Sequence, residues 1–144
     1  MRITFAFILA SMILLAGVMR IDAGDSPTGF LTVTRPCRLE FPRDHAPHPG
    51  FRNEWWYLTG NLDDEGGRRF GFELTFFRFA LTPSMPDAGS NWRSKDVYIA
   101  HLAITDADDG KFYVAQRYSR AALGLAGAQS EPFRVWIDDW EFAA

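Results

Sequence analysis

The sequence predicts an all-β fold in which an antiparallel meander of strands bends toward a barrel. Apolar and polar residues alternate over several stretches, which is the pattern of strands with one buried face. Two acidic connectors that end in glycine separate such stretches, as expected of hairpin turns. Prolines recur between residues 24 and 52 and exclude a long helix there.

The first long hairpin is predicted at Glu54–Leu62 and Arg68–Ala80, around the connector Asp63–Gly67. Large apolar side chains occupy alternate positions in the first half of the second strand, after which Phe77 and Phe79 take up the opposite parity. This change of parity predicts either a bulge or a strand that passes between two environments, and both are common where a sheet curls.

The other elements follow from the same signals. They are, in chain order, a short strand at Phe30–Arg35, a long surface loop at 81–95, strands at Val97–Thr105 and Lys111–Tyr118 around the acidic turn Asp106–Gly110, a small-residue segment at Ser119–Ser130 with room for a short helix, and a strand at Phe133–Phe142 with Trp136 and Trp140 on one face.

This count gives five clear strands and one doubtful strand, joined mostly by hairpins. A small closed barrel needs roughly eight strands. We therefore expect the barrel to be incomplete in this chain, either because the chain is a fragment or because a second chain completes it.

Composition excludes several classes of function. The 144 residues are 47% hydrophobic and 15% aromatic, which suits one packed domain. The 15 basic and 18 acidic residues give a net charge of −3 and are interspersed, so nucleic acid is not an expected partner. Cys37 is the single cysteine, which excludes an internal disulfide and a cysteine-based metal cluster.

The N-terminus has the pattern of a secretory signal. Arg2 precedes the apolar stretch Ile3–Met19, and Ala23 offers a small residue for cleavage before Gly24. We expect a signal peptide at 1–23, an extended lead-in at 24–52 and a β domain at 53–144, with the protein periplasmic or secreted. A retained membrane anchor is the alternative, and no other contact with a membrane is expected.

Two histidines of the lead-in are candidate site residues. His45 and His48 are three positions apart, a spacing that could supply two metal ligands, but prolines keep the segment non-helical and no third ligand is evident. Hydrogen bonding or proton transfer at a barrel mouth is the second interpretation, and a structural loop is the third. No metal site is predicted.

His101, Glu54 and Glu73 are candidates within predicted strands. His101 is expected to be at least partly buried, either as a hydrogen-bonded core histidine or as a catalytic acid. A buried carboxylate without a partner shifts toward its neutral form and becomes a usable proton donor. The alternative for either glutamate is a salt bridge to Arg52, Arg69 or Arg78.

The aromatic run at the start of the first long strand offers walls for an apolar ligand. Because neighbouring side chains in a strand alternate, Trp55 and Tyr57 are expected on one face, with Trp56 and Leu58 on the other. Either face could line a cavity or belong to the core.

Five blocks of the sequence resemble the AttH family, whose members are labelled secreted hydrolases or carotenoid 1,2-hydratases. The first block contains the unusual run Glu54-Trp55-Trp56-Tyr57. The blocks are Phe41–Leu62, Gly71–Arg78, Ala100–Asp106, Ala122–Ala128 and Trp136–Trp140.

This resemblance implies a calycin or lipocalin-like barrel, of which 53–144 would be the N-terminal, truncated part. It also implies a lipophilic small-molecule partner and no dissociable cofactor. Carotenoid hydratases protonate an alkene and capture the resulting cation with water, which requires an acid and cation-tolerant aromatic side chains.

The sequence thus leaves two main classes of function, a hydro-lyase and a carrier for an apolar ligand, with a structural role as a third. A covalent hydrolase lacks support, since no serine nucleophile elbow is present. The predicted ligand lies in the barrel cavity, with His101 near its polar end. Predicted catalytic residues are His101 and Glu73, and predicted ligand-binding residues are His45, His48, Glu54, Trp55, Trp56, Tyr57 and Arg78.

Overall fold

The computed structural model of the chain describes residues 23–25, 28–85 and 89–144. The predicted signal segment, 1–23, lies outside the described residues apart from Ala23. Over the described ranges, none of the helical structure is long and apolar enough to cross a membrane.

The described residues form nine strands and one 3-10 turn, at Arg43–His45. Strands pair as consecutive antiparallel hairpins in three sheets, so the predicted all-β meander is confirmed, and these sheets do not close into a barrel. The strands are β1 Ala23–Asp25 and β2 Leu31–Val33 in one sheet, β3 Asn53–Asp63, β4 Arg69–Ala80, β5 Asp96–Asp106 and β6 Lys111–Arg120 in the second, and β7 Ala126–Gln129, β8 Arg134–Ile137 and β9 Trp140–Ala143 in the third.

The four-stranded sheet has an uninterrupted register. β3 pairs with β4 continuously from Asn53 opposite Phe79 to Asp63 opposite Arg69, and the pairing of β4 with β5 is equally regular. Neither pairing contains a bulge. The parity change at Phe77 therefore marks a strand that passes between two environments, which was the second of the two interpretations.

Glycines end both predicted acidic turns of this sheet. Gly67 has a φ of 81° between β3 and β4, and Gly110 has a φ of 63° between β5 and β6. This left-handed conformation is open to glycine at little cost. In the first turn, the Asp64 carboxylate accepts hydrogen bonds from the backbone N–H groups of Gly66 and Arg68, which fixes the connector.

The core lies between the four-stranded sheet and the three-stranded sheet. We call the covered side of the larger sheet its inner face, which carries Trp56, Phe76, Tyr98 and Ala100, and the opposite side its outer face. The residues that the smaller sheet packs against the inner face are Ala126, Val135 and Ile137, with Ala128, Trp140 and Phe142 at the margin.

The C-terminal part differs from the sequence prediction in two respects. The segment predicted to hold a short helix instead completes β6 and forms β7. The strand predicted at Phe133–Phe142 is two strands, β8 and β9, joined by a tight turn at Asp138, whose φ is 53°.

The position of two tryptophans follows from this turn. Trp140 pairs with Ile137 and packs against the core, whereas Trp136 lies on the other face of the small sheet, so the prediction that they share a face was wrong. Trp136 covers Gly127 of β7: a Cβ added at that glycine would lie 2.6 Å from the indole ring. A small residue is therefore required there, which explains part of the small-residue composition.

Candidate functional site

The predicted site residues separate into two groups on opposite sides of the four-stranded sheet. Glu54 and Arg78 are register partners on the inner face, and His48 of the lead-in joins them. Tyr57, Glu73 and His101 belong to the outer face, as does Trp55. The sheet thus presents two sites to consider, an ionic cluster and an aromatic surface.

Arg78 is the centre of the ionic cluster and is only 2% exposed. Its Nε donates to Glu54 Oε2 at 3.2 Å, and its Nη1 donates to Asp96 Oδ1 at 3.1 Å. Its Nη2 donates to the backbone carbonyls of His48 and Phe51, at 3.0 and 2.9 Å. The guanidinium therefore balances two carboxylates and fastens the lead-in to β4.

His48 and Glu54 form a second part of this cluster. His48 Nδ1 lies 2.7 Å from Glu54 Oε1, and the His48 backbone N–H also donates to the same carboxylate. Glu54 thus has the salt bridge to Arg78 that was one of its two interpretations. The carboxylate fixes the orientation of the imidazole, whose Nε2 lies 3.7 Å from Asp44 Oδ1.

Two neighbouring groups have shifted pKa values. The backbone N–H of Glu40 and the Arg43 side chain hold the pKa of Asp44 below its ordinary value. Burial raises the pKa of Tyr98 well above its ordinary value, and the negative charge of Asp96 adds to this effect. Tyr98 therefore stays protonated beside Arg78.

The ionic cluster borders an open cleft of about 910 Å³ between the lead-in and the start of β3. Asp44, His48 and Glu54 line it, together with Cys37 and Phe51. Most of its charged groups are already paired with each other or with Arg78, as in Arg43 with Asp44, so few of its charges are left to bind a ligand.

His45 and Trp56 do not join either group. The His45 carbonyl accepts a hydrogen bond of 3.0 Å from Trp56 Nε1, and the exposed imidazole packs against Phe41 with the two ring centroids 4.4 Å apart and the ring planes tilted by 31°. Trp56 is 8% exposed and packs in the core. In the part of the chain that the structure describes, no three His, Cys, Asp or Glu side chains are grouped to hold a metal ion.

The outer face is built of side-chain rows that run across the four strands. One row is aromatic and aliphatic, and the next is polar. The apolar row contains Trp55, Phe77, Ile99 and Tyr118, the polar row contains Tyr57, Thr75, His101 and Gln116, and the third contains Thr59, Glu73, Ala103 and Val114.

Much of this apolar surface faces solvent. Trp55, Tyr57, Tyr118 and Val114 are 59%, 62%, 63% and 65% exposed. Single exposed apolar residues are ordinary on proteins, but a contiguous patch marks an interaction surface. The outer face therefore has the character of a binding surface that the described residues leave uncovered.

His101 is exposed, which corrects the expectation that it would be partly buried. Its strand is apolar on both sides of it, but its face carries no covering layer among the described residues. The imidazole meets the Phe77 ring edge-on at 5.4 Å. Together with Glu73, Val114 and Gln116 it lines a recess of about 180 Å³.

Glu73 is also exposed, and it is not the buried carboxylate that the sequence allowed. Its Oε1 accepts a hydrogen bond of 3.1 Å from the Thr75 hydroxyl. Because Glu73 pairs with Ala103 while His101 pairs with Thr75, the two titratable groups are diagonal neighbours on adjacent strands. Such neighbours are within reach of one another through long side chains.

Several residues of these sites were not predicted. Asp96 stands just before the strand predicted to begin at Val97, so its place beside Arg78 depends on the register of β4 with β5. On the outer face, Ile99, Tyr118 and Gln116 were not singled out. The parity change at Phe77 was the signal available for this face, since it places large apolar groups opposite the covered side.

Comparison with known protein families shows which family the chain is related to. A family model described as AttH-like matches residues 32–144. The chain belongs to the AttH-like family. The predicted resemblance is therefore confirmed. No curated protein matches the chain.

A solved structure agrees with this assignment. It is the 2.00 Å crystal structure of a protein described as an AttH from Nitrosomonas europaea, 38% identical to this chain, with a TM-score of 0.59. The match covers 73% of this chain and 30% of that chain. This AttH-like chain thus spans under a third of the length of that relative.

Proposed function

We propose that this AttH-like chain forms part of a protein that binds an elongated lipophilic ligand on the outer face of its four-stranded sheet. The observation that carries the proposal is the exposed apolar row from Trp55 to Tyr118, which lies directly beside the polar row that contains His101. An apolar surface with a few placed polar groups is the usual character of a small-molecule site.

The dimensions and energetics of the outer face suit such a ligand. Neighbouring strands lie about 4.8 Å apart, so a row across four strands spans about 14 Å. Covering apolar surface contributes about 25 cal/mol per Å². An extended apolar chain laid along the row would cover Trp55 and Tyr118 together, with its polar end near His101. The proposed ligand site is thus on the outer face, and not around the buried Trp56.

Hydration of an alkene is a second candidate, favoured by the recess that His101 shares with Glu73. In that reaction the protonated imidazole would give its proton to one alkene carbon, and a water oxygen would bond to the other carbon. The proton that the water loses would return to the imidazole. A carrier needs no such proton transfer, so product analysis separates the two candidates.

The location of the protein is part of the proposal. The Arg2 and Ile3–Met19 pattern supports export to the periplasm or beyond, with the mature protein beginning near Gly24. Mass spectrometry of the protein from fractionated cells tests this. An intact Met1 terminus confined to the cytosol would contradict it.

Fluorescence quenching tests the ligand site. We expect retinol, a polyene alcohol, to quench the tryptophan fluorescence of the full gene product, and Trp55→Phe to remove most of this quenching. Trp92→Phe is the matched control, because Trp92 is 58% exposed but lies in the loop between β4 and β5. If Trp55→Phe and Trp92→Phe reduce the quenching equally, the proposal is wrong. It is also wrong if retinol causes no quenching in the full gene product, since another part of that product would then cover the outer face.

A further inference from the structure

We propose that Glu73 selects ligands whose polar end is uncharged, so that the outer face binds long-chain alcohols in preference to the corresponding carboxylates. This inference rests on the proposed function and specifies the substrate class of the same site. It follows from the charges around the recess and from the hydrogen bonds already made there.

The recess contains one fixed negative charge and no fixed positive charge. Glu73, His101, Val114 and Gln116 line it together with backbone neighbours. Among the described residues, the three outer-face rows defined above include neither lysine nor arginine. The outer face carries Arg69 near the hairpin end, whose Nε already lies 3.4 Å from Asp63 Oδ1, and Arg120 in the row beyond Tyr118, on the side away from the recess, whose Nη1 donates to the Trp92 carbonyl.

This charge distribution opposes an anionic ligand. A carboxylate ligand whose polar end enters the recess would bring its charge close to Glu73, whereas the arginines of this face, Arg69 and Arg120, lie outside the recess. Two like charges a few ångströms apart near a protein surface repel each other appreciably, even with screening by salt. We expect the penalty to reduce affinity by about tenfold.

A hydroxyl group fits the same recess. The Thr75 hydroxyl donates to Glu73 Oε1, which leaves Oε2 available as an acceptor. A ligand hydroxyl that donates to this oxygen forms a charge-assisted hydrogen bond, which is stronger than a neutral one. The Gln116 carbonyl oxygen already accepts from the Tyr118 hydroxyl, which leaves the Gln116 amide N–H groups, Glu73 and His101 to contact the ligand.

Retinol and retinoate test the inference, since they share one apolar skeleton and differ at the polar end. Dissociation constants are measured near neutral pH by tryptophan quenching of the full gene product. We expect retinol to bind about tenfold more tightly than retinoate, and Glu73→Gln to raise the affinity for retinoate until the two ligands bind alike. A shared melting temperature verifies that the variant is folded.

Glu65→Gln is the matched control, because Glu65 is an exposed glutamate in the turn between β3 and β4, outside the recess. It removes the same charge and should leave the preference for retinol unchanged. If wild-type protein binds both ligands equally, or if the two variants change the preference alike, the inference is wrong while the proposed function stands. If neither ligand binds, the proposed function itself is overturned.

Discussion

Glu54 and Arg78 stand opposite each other on β3 and β4, and Arg78 Nε lies 3.2 Å from Glu54 Oε2. The guanidinium is buried, and it also reaches Asp96 on β5. Three strands and the lead-in therefore meet at one charge. Burying an ion is favourable only when partners compensate for its lost hydration, so each member of this cluster depends on the others.

Replacing Arg78 should be strongly destabilising. Arg78→Met leaves Glu54 and Asp96 without their buried counter-ion, and we expect the free energy of unfolding to fall by about 3–5 kcal/mol. Urea denaturation followed by circular dichroism measures this change. Arg69→Met is the control, because Arg69 and Asp63 are 69% and 63% exposed, and its effect should stay below about 1 kcal/mol. Similar losses in both variants would contradict the role assigned to Arg78.

The two adjacent tryptophans should respond differently to truncation. Trp56→Ala removes a core side chain and its hydrogen bond to the His45 carbonyl, so we expect a loss of about 3–5 kcal/mol. Trp55→Ala removes an exposed ring and should change stability by less than about 1 kcal/mol. Thermal melts of the two variants decide this, and an unstable Trp55→Ala protein would show that the outer face is covered.

Local sequence signals were sufficient to predict the larger sheet. Strict alternation in β4 and the glycine-ended connectors at Gly67 and Gly110 fix strands and turns within a few residues of chain. Once those turns are set, the antiparallel register brings Glu54 opposite Arg78 without further information. The sequence analysis left Arg52, Arg69 and Arg78 open as partners of Glu54, and the register of β3 with β4 selects Arg78.

Properties that depend on tertiary contacts could not be predicted in the same way. The turn at Asp138 contains no glycine from which a turn could be predicted, so β8 and β9 were predicted as one strand. Which face of β5 is covered depends on where the third sheet packs, and this placed Tyr98 in the core and His101 outside it. Alternation separates the two faces of a strand but does not identify the buried one.

Lowering the pH should destabilise the lead-in, because Asp44 becomes protonated. The Glu40 backbone N–H and then Arg43 hold the folded-state pKa of Asp44 below its ordinary value of 3.8. A carboxyl group with a lowered folded-state pKa stabilises the fold above its unfolded pKa, and this contribution is lost as pH falls through the folded value. We therefore expect stability to decline below pH 3.8, and Asp44→Asn to flatten that decline.

Urea midpoints measured over this acid range test the expectation. Asp139→Asn serves as the control, because Asp139 is 78% exposed and lies at the turn between β8 and β9. If the urea midpoint of the Asp44→Asn protein depends on pH as it does in wild type, protonation of Asp44 is not the cause of the acid destabilisation.

Gly127 should not tolerate even one added methyl group. The Cβ of Gly127→Ala would lie 2.6 Å from the Trp136 ring, so either the indole or β7 must move. Overpacking of this kind costs about 1–3 kcal/mol. Gly71→Ala is the comparison, because the nearest atom to its added Cβ is 3.9 Å away. Equal melting temperatures for the two variants would contradict the close packing of Trp136 on β7.

His101 provides the test that separates an enzyme from a carrier. An imidazole exchanges protons near neutral pH, whereas a glutamine amide forms hydrogen bonds but does not titrate. If the protein hydrates an alkene, His101→Gln should therefore abolish turnover while the ligand still binds with nearly unchanged affinity. If it is a carrier, wild-type protein yields no product, and the same substitution changes affinity only modestly because the apolar row from Trp55 to Tyr118 remains intact.

The measurement combines two readouts on the full gene product. Quenching titrations give the ligand affinity, and mass spectrometry of an incubated polyene detects the addition of water. Glu65→Gln, at the surface turn, should match wild type in both readouts. Because His101 lies beside Phe77 on an exposed face, its replacement should leave the fold intact, which a thermal melt verifies. Full turnover by a folded His101→Gln protein would exclude His101 as the proton donor and transfer that role to another group.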